Sequence, residues 1–493
     1  MSYISQAYVV LLGIMILPFY ITWLGAEAYG LIGFFAMLQA IFGLLDLGLT
    51  PTISRETARY RAGVLSELIY TQLFRTMNLI FSSIAVLGGG ALYYLSESIA
   101  SNWLSIENLN PSEVVIAIKI MAVCTALRWM TGLYRGVVIG GELLVWLGGF
   151  NIIIATMRFL LVFPVMWFFG ANVTVFFAYQ LLVAITEFVA LLLKALSQTP
   201  RLPKKLSESL SWSLKPLAPI ISFSMSIALT SGLWVIVTQT DKLIMSKLLT
   251  LEHYGYFTLA VLVANGIMMI AGPISGAIMP RMARLEAEGK RDELLKIYSS
   301  ATRLVCLLAG CSGIILIAFA EKILFVWTAD LHIATTASST LKLYAAGYLM
   351  LVIAAFPYYL QYALGNLKLH VLGSLLFVSC LLPLLYFFTK NFGMTGAGIA
   401  WVITNAVYFL FWTGIVHNKY LEKFHFSWLA FDVFKVLAVP AALALLFTFS
   451  ANSESRTTMF IELSLISITI FFLTALSLNE FRRKLKAIVG INE

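Results

Sequence analysis

Charge, cysteine and histidine are all scarce in this chain, and each scarcity excludes something. Only 12% of the 493 residues are Asp, Glu, Lys or Arg, too few to solvate the surface of an ordinary soluble protein of this length. The four cysteines, Cys124, Cys306, Cys311 and Cys380, sit inside apolar runs. That placement argues against a disulfide framework and against a metal cage. The five histidines, His253, His332, His370, His417 and His425, fall near segment ends without ligand spacing. Neither a metal nor a cofactor is expected. No Walker sequence is present, so ATP hydrolysis by this chain is not expected. The longest outer loop expected, residues 97–112, is too short for a catalytic domain, so the chain does not read as an enzyme. The first apolar run has no basic leader and no small-residue cleavage site. It reads as a retained helix, not a signal peptide.

Apolar surface is abundant instead. Hydrophobic residues make up 60% of the chain, and the mean hydropathy is +0.90. Both values place it among integral membrane proteins. A spanning helix needs about 20 apolar residues. Fourteen such segments are predicted, over 3–24, 29–49, 76–96, 113–134, 146–169, 173–195, 217–239, 253–277, 303–325, 342–364, 370–389, 394–416, 433–450 and 458–477. With the N-terminus inside, 24 of the 33 Lys and Arg residues fall in the cytoplasmic loops and tail. The excess predicts that both termini are cytoplasmic. The net charge of +9 reflects these loops and gives no reason to expect nucleic acid.

A faint internal echo organises the chain. Glu27-Ala28-Tyr29-Gly30 followed by Ala58-Arg59 returns as Glu252-His253-Tyr254-Gly255 followed by Ala283-Arg284, at a constant offset of 225 residues. Gly140 and Gly148 map onto Gly365 and Gly373 in the same register. Duplicated halves that share a midplane site are a common transporter plan. The expected division is an N-terminal lobe 1–197, a cytoplasmic linker 198–216, a C-terminal lobe 217–417, and a 418–493 appendage with helices 13 and 14 and a basic tail. Six helices per half relate the copies by an axis along the membrane normal.

Charges inside the spans mark the candidate site. Arg158 falls mid-span in the fifth segment and Arg128 near mid-span in the fourth. An Arg there costs about 2.5–3.5 kcal/mol on insertion scales, so it should face protein or water. Arg128, Thr131 and Arg135 share one helix face, as do Asn151, Ala155 and Arg158. Guanidinium forks match phosphate oxygens, which makes Arg128, Arg135 and Arg158 candidate anion ligands with Asn151 beside them. The alternative is a structural pair between Arg158 and Glu187. The two are compatible, since a released pair can gate a site. Lys119 lies on the opposite face of its helix from Arg128, nearer the outer surface, where snorkelling also explains it. Ser224, Ser231, Thr238 and Asp241 form a polar face on the seventh segment, with Trp234. Ser231 and Thr238 are candidate substrate ligands, although interhelical hydrogen bonding explains such a face equally well. Glu187 and Asp241 are the acids placed to carry a coupling proton or sodium ion. Asp241-Lys242 also reads as a self-neutralising pair. Asp46 reads as a cap or packing residue. The basic run Arg55–Arg61 reads as topogenic and suited to membrane lipids.

Several stretches carry a resemblance. Leu17-Pro18, Trp23-Leu24-Gly25, Tyr29-Gly30, Leu45-Asp46-Leu47-Gly48 and Arg55-Glu56-Thr57-Ala58-Arg59 resemble the opening of Wzx-type polysaccharide-unit flippases. Thr240-Asp241-Lys242, Tyr254-Gly255-Tyr256, Pro273 and Pro280 resemble the start of their second half. These flippases belong to the multidrug, oligosaccharidyl-lipid and polysaccharide exporter superfamily. The resemblance implies an all-α polytopic fold of two six-helix lobes around a central cavity, plus two further helices. It implies undecaprenyl-pyrophosphate-linked oligosaccharide as the substrate, moved between leaflets of a bacterial inner membrane. It admits a polysaccharide polymerase and a chain-length regulator as partners. Cationic cavity residues are a family property, for which Arg128, Arg158 and Lys119 are the candidates. A cation-coupled multidrug exporter is the first alternative, but such pumps need acids near the first helices and the first segment has none. A lipid II flippase is the second, but its first helix is expected to be basic, and the first cation here is Arg55. A membrane enzyme is the third, and it lacks the polar loop it would need.

Overall fold

Helix is the only spanning form that satisfies every backbone group of one apolar run internally. The computed structural model, which describes residues 2–46, 48–200, 232, 235–450 and 455–478, is accordingly helical and forms no β-sheet among them. Eleven helices among the described residues are long and apolar enough to cross a membrane. The chain is a multi-pass membrane protein. It divides into two compact units, Met1–Gly255 and Tyr256–Glu493.

The first unit holds α1 (Ser2–Leu24), α2 (Ala26–Leu44), α3 (Leu49–Arg61), α4 (Glu67–Tyr94), α5 (Pro111–Gly140), α6 (Leu144–Phe159), α7 (Val162–Phe169) and α8 (Val173–Leu196). Local chemistry sets their ends. Asp46 accepts hydrogen bonds from the backbone N and the hydroxyl of Thr50, at 3.1 and 2.6 Å, and so caps α3. Asn110 and Asn172 accept from the first turns of α5 and α8. The span expected at 146–169 breaks into α6 and α7 at Leu160-Leu161. Pro164 lacks the N–H that would bond to the Leu160 carbonyl, so the ladder cannot run through. The core of this unit packs Tyr70, Met77 and Phe81 of α4 against Trp129, Leu133 and Val137 of α5. That packing holds α5 rigid beneath the cations it carries.

Residues 235–248 are helical, and α9 (Leu251–Ala287) follows, starting in the first unit. The start of α9 is anchored there. The Leu251 N–H donates to the Ser105 carbonyl at 2.9 Å, and the Trp103 indole donates to the Ser246 hydroxyl at 3.0 Å. Gly30 on α2 and Gly255 on α9 meet reciprocally. A methyl group at Gly30 would collide with the Leu251 carbonyl oxygen, and one at Gly255 would sit 2.7 Å from the Ala26 carbonyl oxygen. Ala26 and Leu251 are themselves 225 residues apart.

The second unit continues with α10 (Arg291–Ala318), α11 (Ala320–Thr328), α12 (Leu331–Ala363), α13 (Lys368–Tyr420), α14 (Phe424–Phe449) and α15 (Arg456–Ser477). The spans expected at 370–389 and 394–416 both lie in α13, which is interrupted at Gly393, φ +57° and ψ −139°. Only glycine adopts that backbone without strain. The seventh expected span, 217–239, lies mostly outside the described residues, as do Ser224, Ser231, Trp234 and the linker from 201 onward.

Candidate functional site

Three arginines and one carboxylate meet inside the first unit. The Glu187 side chain on α8 is 5% exposed and is shared between two cations: Oε1 accepts from Arg135 Nη2 on α5 at 2.6 Å, and Oε2 accepts from Arg158 Nη2 on α6 at 2.8 Å. Arg135 also donates through Nη1 to the Asn151 side-chain Oδ1 at 2.7 Å. Arg128, two turns before Arg135 on α5, has no carboxylate within ion-pair distance among the described residues. It is held instead by two amides, donating to Gln39 Oε1 at 3.0 Å and Gln180 Oε1 at 2.8 Å. Its guanidinium also lies 5.1 Å from the centroid of the Phe35 ring on α2. Gln180 ties the two groups together, since its amide N donates to the Arg158 carbonyl at 3.0 Å.

The charges do not balance. Among the described residues three guanidinium groups face one carboxylate, which leaves two formal positive charges in excess. The side chains of Arg135 and Arg158 remain 28% and 26% exposed, so neither is sealed off from a ligand. The Nε atoms of Arg128 and Arg158 are buried and have no hydrogen-bond partner among the described residues. An unbalanced, under-satisfied cationic group in a low-dielectric setting favours an anion. Guanidinium forks pair best with the oxygens of phosphate or carboxylate.

The sequence-predicted residues divide into three groups. Arg128, Arg135, Arg158, Asn151 and Glu187 come together. Lys119 lies apart, with its Nζ 3.6 Å from Glu97 Oε1 and 5.6 Å from the centre of the Tyr93 ring. Thr238, Asp241 and Lys242 form a local group in the middle of the 235–248 helix. Lys242 Nζ lies 3.5 Å from Asp241 Oδ1 and donates to the Thr238 carbonyl. Ser231 is outside the described residues. Thr131 turns away from the cluster, its hydroxyl donating to the Arg128 carbonyl at 2.5 Å. Gln39, Gln180 and Phe35 were not anticipated from sequence. The signal for the amides was present, because each is a strong polar group inside an apolar run, and Gln180 lies on the same face of α8 as Glu187, seven residues earlier.

Comparison with known proteins places the chain among relatives. The model of a family described as "Polysaccharide biosynthesis protein" matches residues 1–286. A Shigella flexneri protein named as an O-antigen transporter is 22% identical over 405 residues, covering 80% of this chain and 90% of that protein. Among solved structures, a lipid II flippase, MurJ, in an inward closed conformation matches with a TM-score of 0.72. It is 14% identical and covers 98% of this chain and 99% of its own. An inward-facing multidrug resistance MATE family transporter of the MOP superfamily matches with a TM-score of 0.64 at 13% identity, covering 84% and 95%. At these identities the structures establish the fold, which is that of the MOP-superfamily transporters.

Proposed function

The chain belongs to the polysaccharide biosynthesis protein family, and on that footing we propose that it is a flippase for undecaprenyl-pyrophosphate-linked oligosaccharide. The unbalanced arginine cluster carries this reading. A pyrophosphate diester brings two negative charges, the number the cluster leaves uncompensated. Arg128, held by neutral amides and an aromatic ring, makes the first contact. Arg158 and Arg135 follow as the phosphate oxygens compete with Glu187 for their N–H groups. Asn151 orients Arg135. The substrate head crosses by alternating access while the polyprenyl tail stays in lipid. The membrane is the bacterial inner membrane, both termini are cytoplasmic, and the product supplies surface polysaccharide assembly by a polymerase and a chain-length regulator. Glu187 and the Asp241-Lys242 pair are the groups for gating or for coupling to a proton or sodium ion. Lys119, Ser231 and Thr238 stand as further substrate contacts. The O-antigen transporter relative supports the substrate class.

The test is complementation of a strain lacking its own polysaccharide-unit flippase. Arg128→Ala and Arg158→Ala are each expected to cut surface polysaccharide about tenfold or more, at about 1.4 kcal/mol per decade, and the double variant should abolish it. Undiminished polysaccharide from the double variant would overturn the reading. The lipid II alternative has its own signature, which is rescue of a strain depleted of its lipid II flippase.

A further inference from the structure

A second cationic concavity lies in the second unit, where α13 ends and α14 begins, against the start of α10. It is a groove of about 610 Å³ lined by Arg291, Lys419, Lys423, Tyr420, Glu422 and Phe424, with three further residues. Arg291 donates to the Tyr420 carbonyl at 2.5 Å, which fixes its guanidinium at the groove wall. Lys419 Nζ lies 5.9 Å from the centre of the Tyr420 ring. None of Arg291, Lys419 and Lys423 forms an ion pair among the described residues. With Glu422 as the acid in the lining, two positive charges are uncompensated.

The first unit supplies an internal control. It has a groove of about 580 Å³ in the corresponding place, between the start of α4 and the end of α8. The offset of 225 carries Ser66 onto Arg291, Ser197 onto Glu422 and Gln198 onto Lys423. In that groove the cation Arg61 bonds to Gln198, and Glu67 is in the lining. By its lining residues the first groove is electrically neutral, whereas the second carries two positive charges in excess.

Exposed aromatic residues follow the groove along the same apolar helix. Phe426, Phe431 and Phe434, at the start of α14, are 79%, 64% and 51% exposed. A lipid whose headgroup meets the cations would have exposed aromatic residues of the same helix available to its tail. We infer that the second-unit groove seats the phosphodiester headgroup of an anionic phospholipid of the bilayer. The inference does not depend on which substrate is flipped. Lysine and arginine near a membrane surface each add about 1 kcal/mol toward anionic lipid, so several converging on one groove make a selective seat.

Full-length protein purified in mild detergent and titrated with phosphatidylglycerol or phosphatidylcholine, with bound lipid counted by native mass spectrometry, tests this. Wild type should retain phosphatidylglycerol preferentially. Substituting Arg291, Lys419 and Lys423 together by Gln should lower that preference on the order of tenfold or more. Glu422→Gln should raise it, and this opposite sign guards against a merely misfolded triple variant. Arg61→Gln in the first groove should change nothing. The inference is overturned if the triple variant keeps its preference, if Arg61→Gln costs as much, or if inorganic phosphate displaces the lipid as readily as soluble competition for a bare anion site would require.

Discussion

At the residue scale, Glu187 is the most exposed to a decisive test. It is one buried carboxylate serving two cations that keep about a quarter of their surface, so its removal costs less than breaking a sealed pair. Glu187→Gln should lower stability by about 2 kcal/mol, below the 3–5 kcal/mol typical of fully buried pairs, read as thermal unfolding in detergent. A double-mutant cycle of Arg158→Ala with Glu187→Ala should return a coupling of about 0.5–3 kcal/mol. A coupling of zero would mean that the contact carries no energy. Arg128→Ala should behave differently, with little effect on unfolding and a large effect on transport, because its partners are neutral amides that water can satisfy. The cations themselves were legible in the sequence, since Arg in an apolar run is conspicuous on energetic grounds. Their partners were only half legible. Depth along the spans matched Glu187 to Arg158, but spacing along one helix says nothing about which neighbouring helix presents Gln39.

Caps and close approaches carry the predictions at the element scale. Asp46 joins α2 to α3 by capping the latter through Thr50. Asp46→Ala should cost about 1 kcal/mol and show up as faster amide exchange in the first turn of α3, with the arginine cluster unaffected. The crossing of α2 and α9 depends on hydrogen side chains at both contact points. Gly30→Ala and Gly255→Ala should each destabilise by about 1–3 kcal/mol, because the atoms a methyl group would meet are backbone and cannot rotate away. Gly266→Ala, where nothing lies within 4 Å, should be neutral or slightly stabilising by thermal unfolding. The breaks in the apolar runs were partly readable in advance. The ends at 389 and 394 bracket Gly393, whereas the interruption at Leu160 went unread because Pro164 sits early in α7, a tolerated position for proline.

At the scale of the whole molecule, the 225-residue echo read from the sequence links several features. The same offset relates the Tyr-Gly motifs, the reciprocal glycine contact and the two polar grooves. The two units differ in charge. The three clustered intramembrane arginines belong to the first unit, and the strongly basic groove to the second. Compactness separates the chain after Gly255, beyond the expected linker, because the start of α9 is bonded to Ser105 and packed on Gly30. Composition and spacing were enough to decide that this is a multi-helix membrane protein with intramembrane cations in its first half. Burying a guanidinium or threading an apolar run through lipid has a large, sequence-local energy, so those features show without coordinates. Packing alone decided that one carboxylate serves two arginines, that amides hold the third, and that Lys119 stands apart. Those outcomes turn on distances of a few ångströms between different helices, which no periodicity within a single helix encodes.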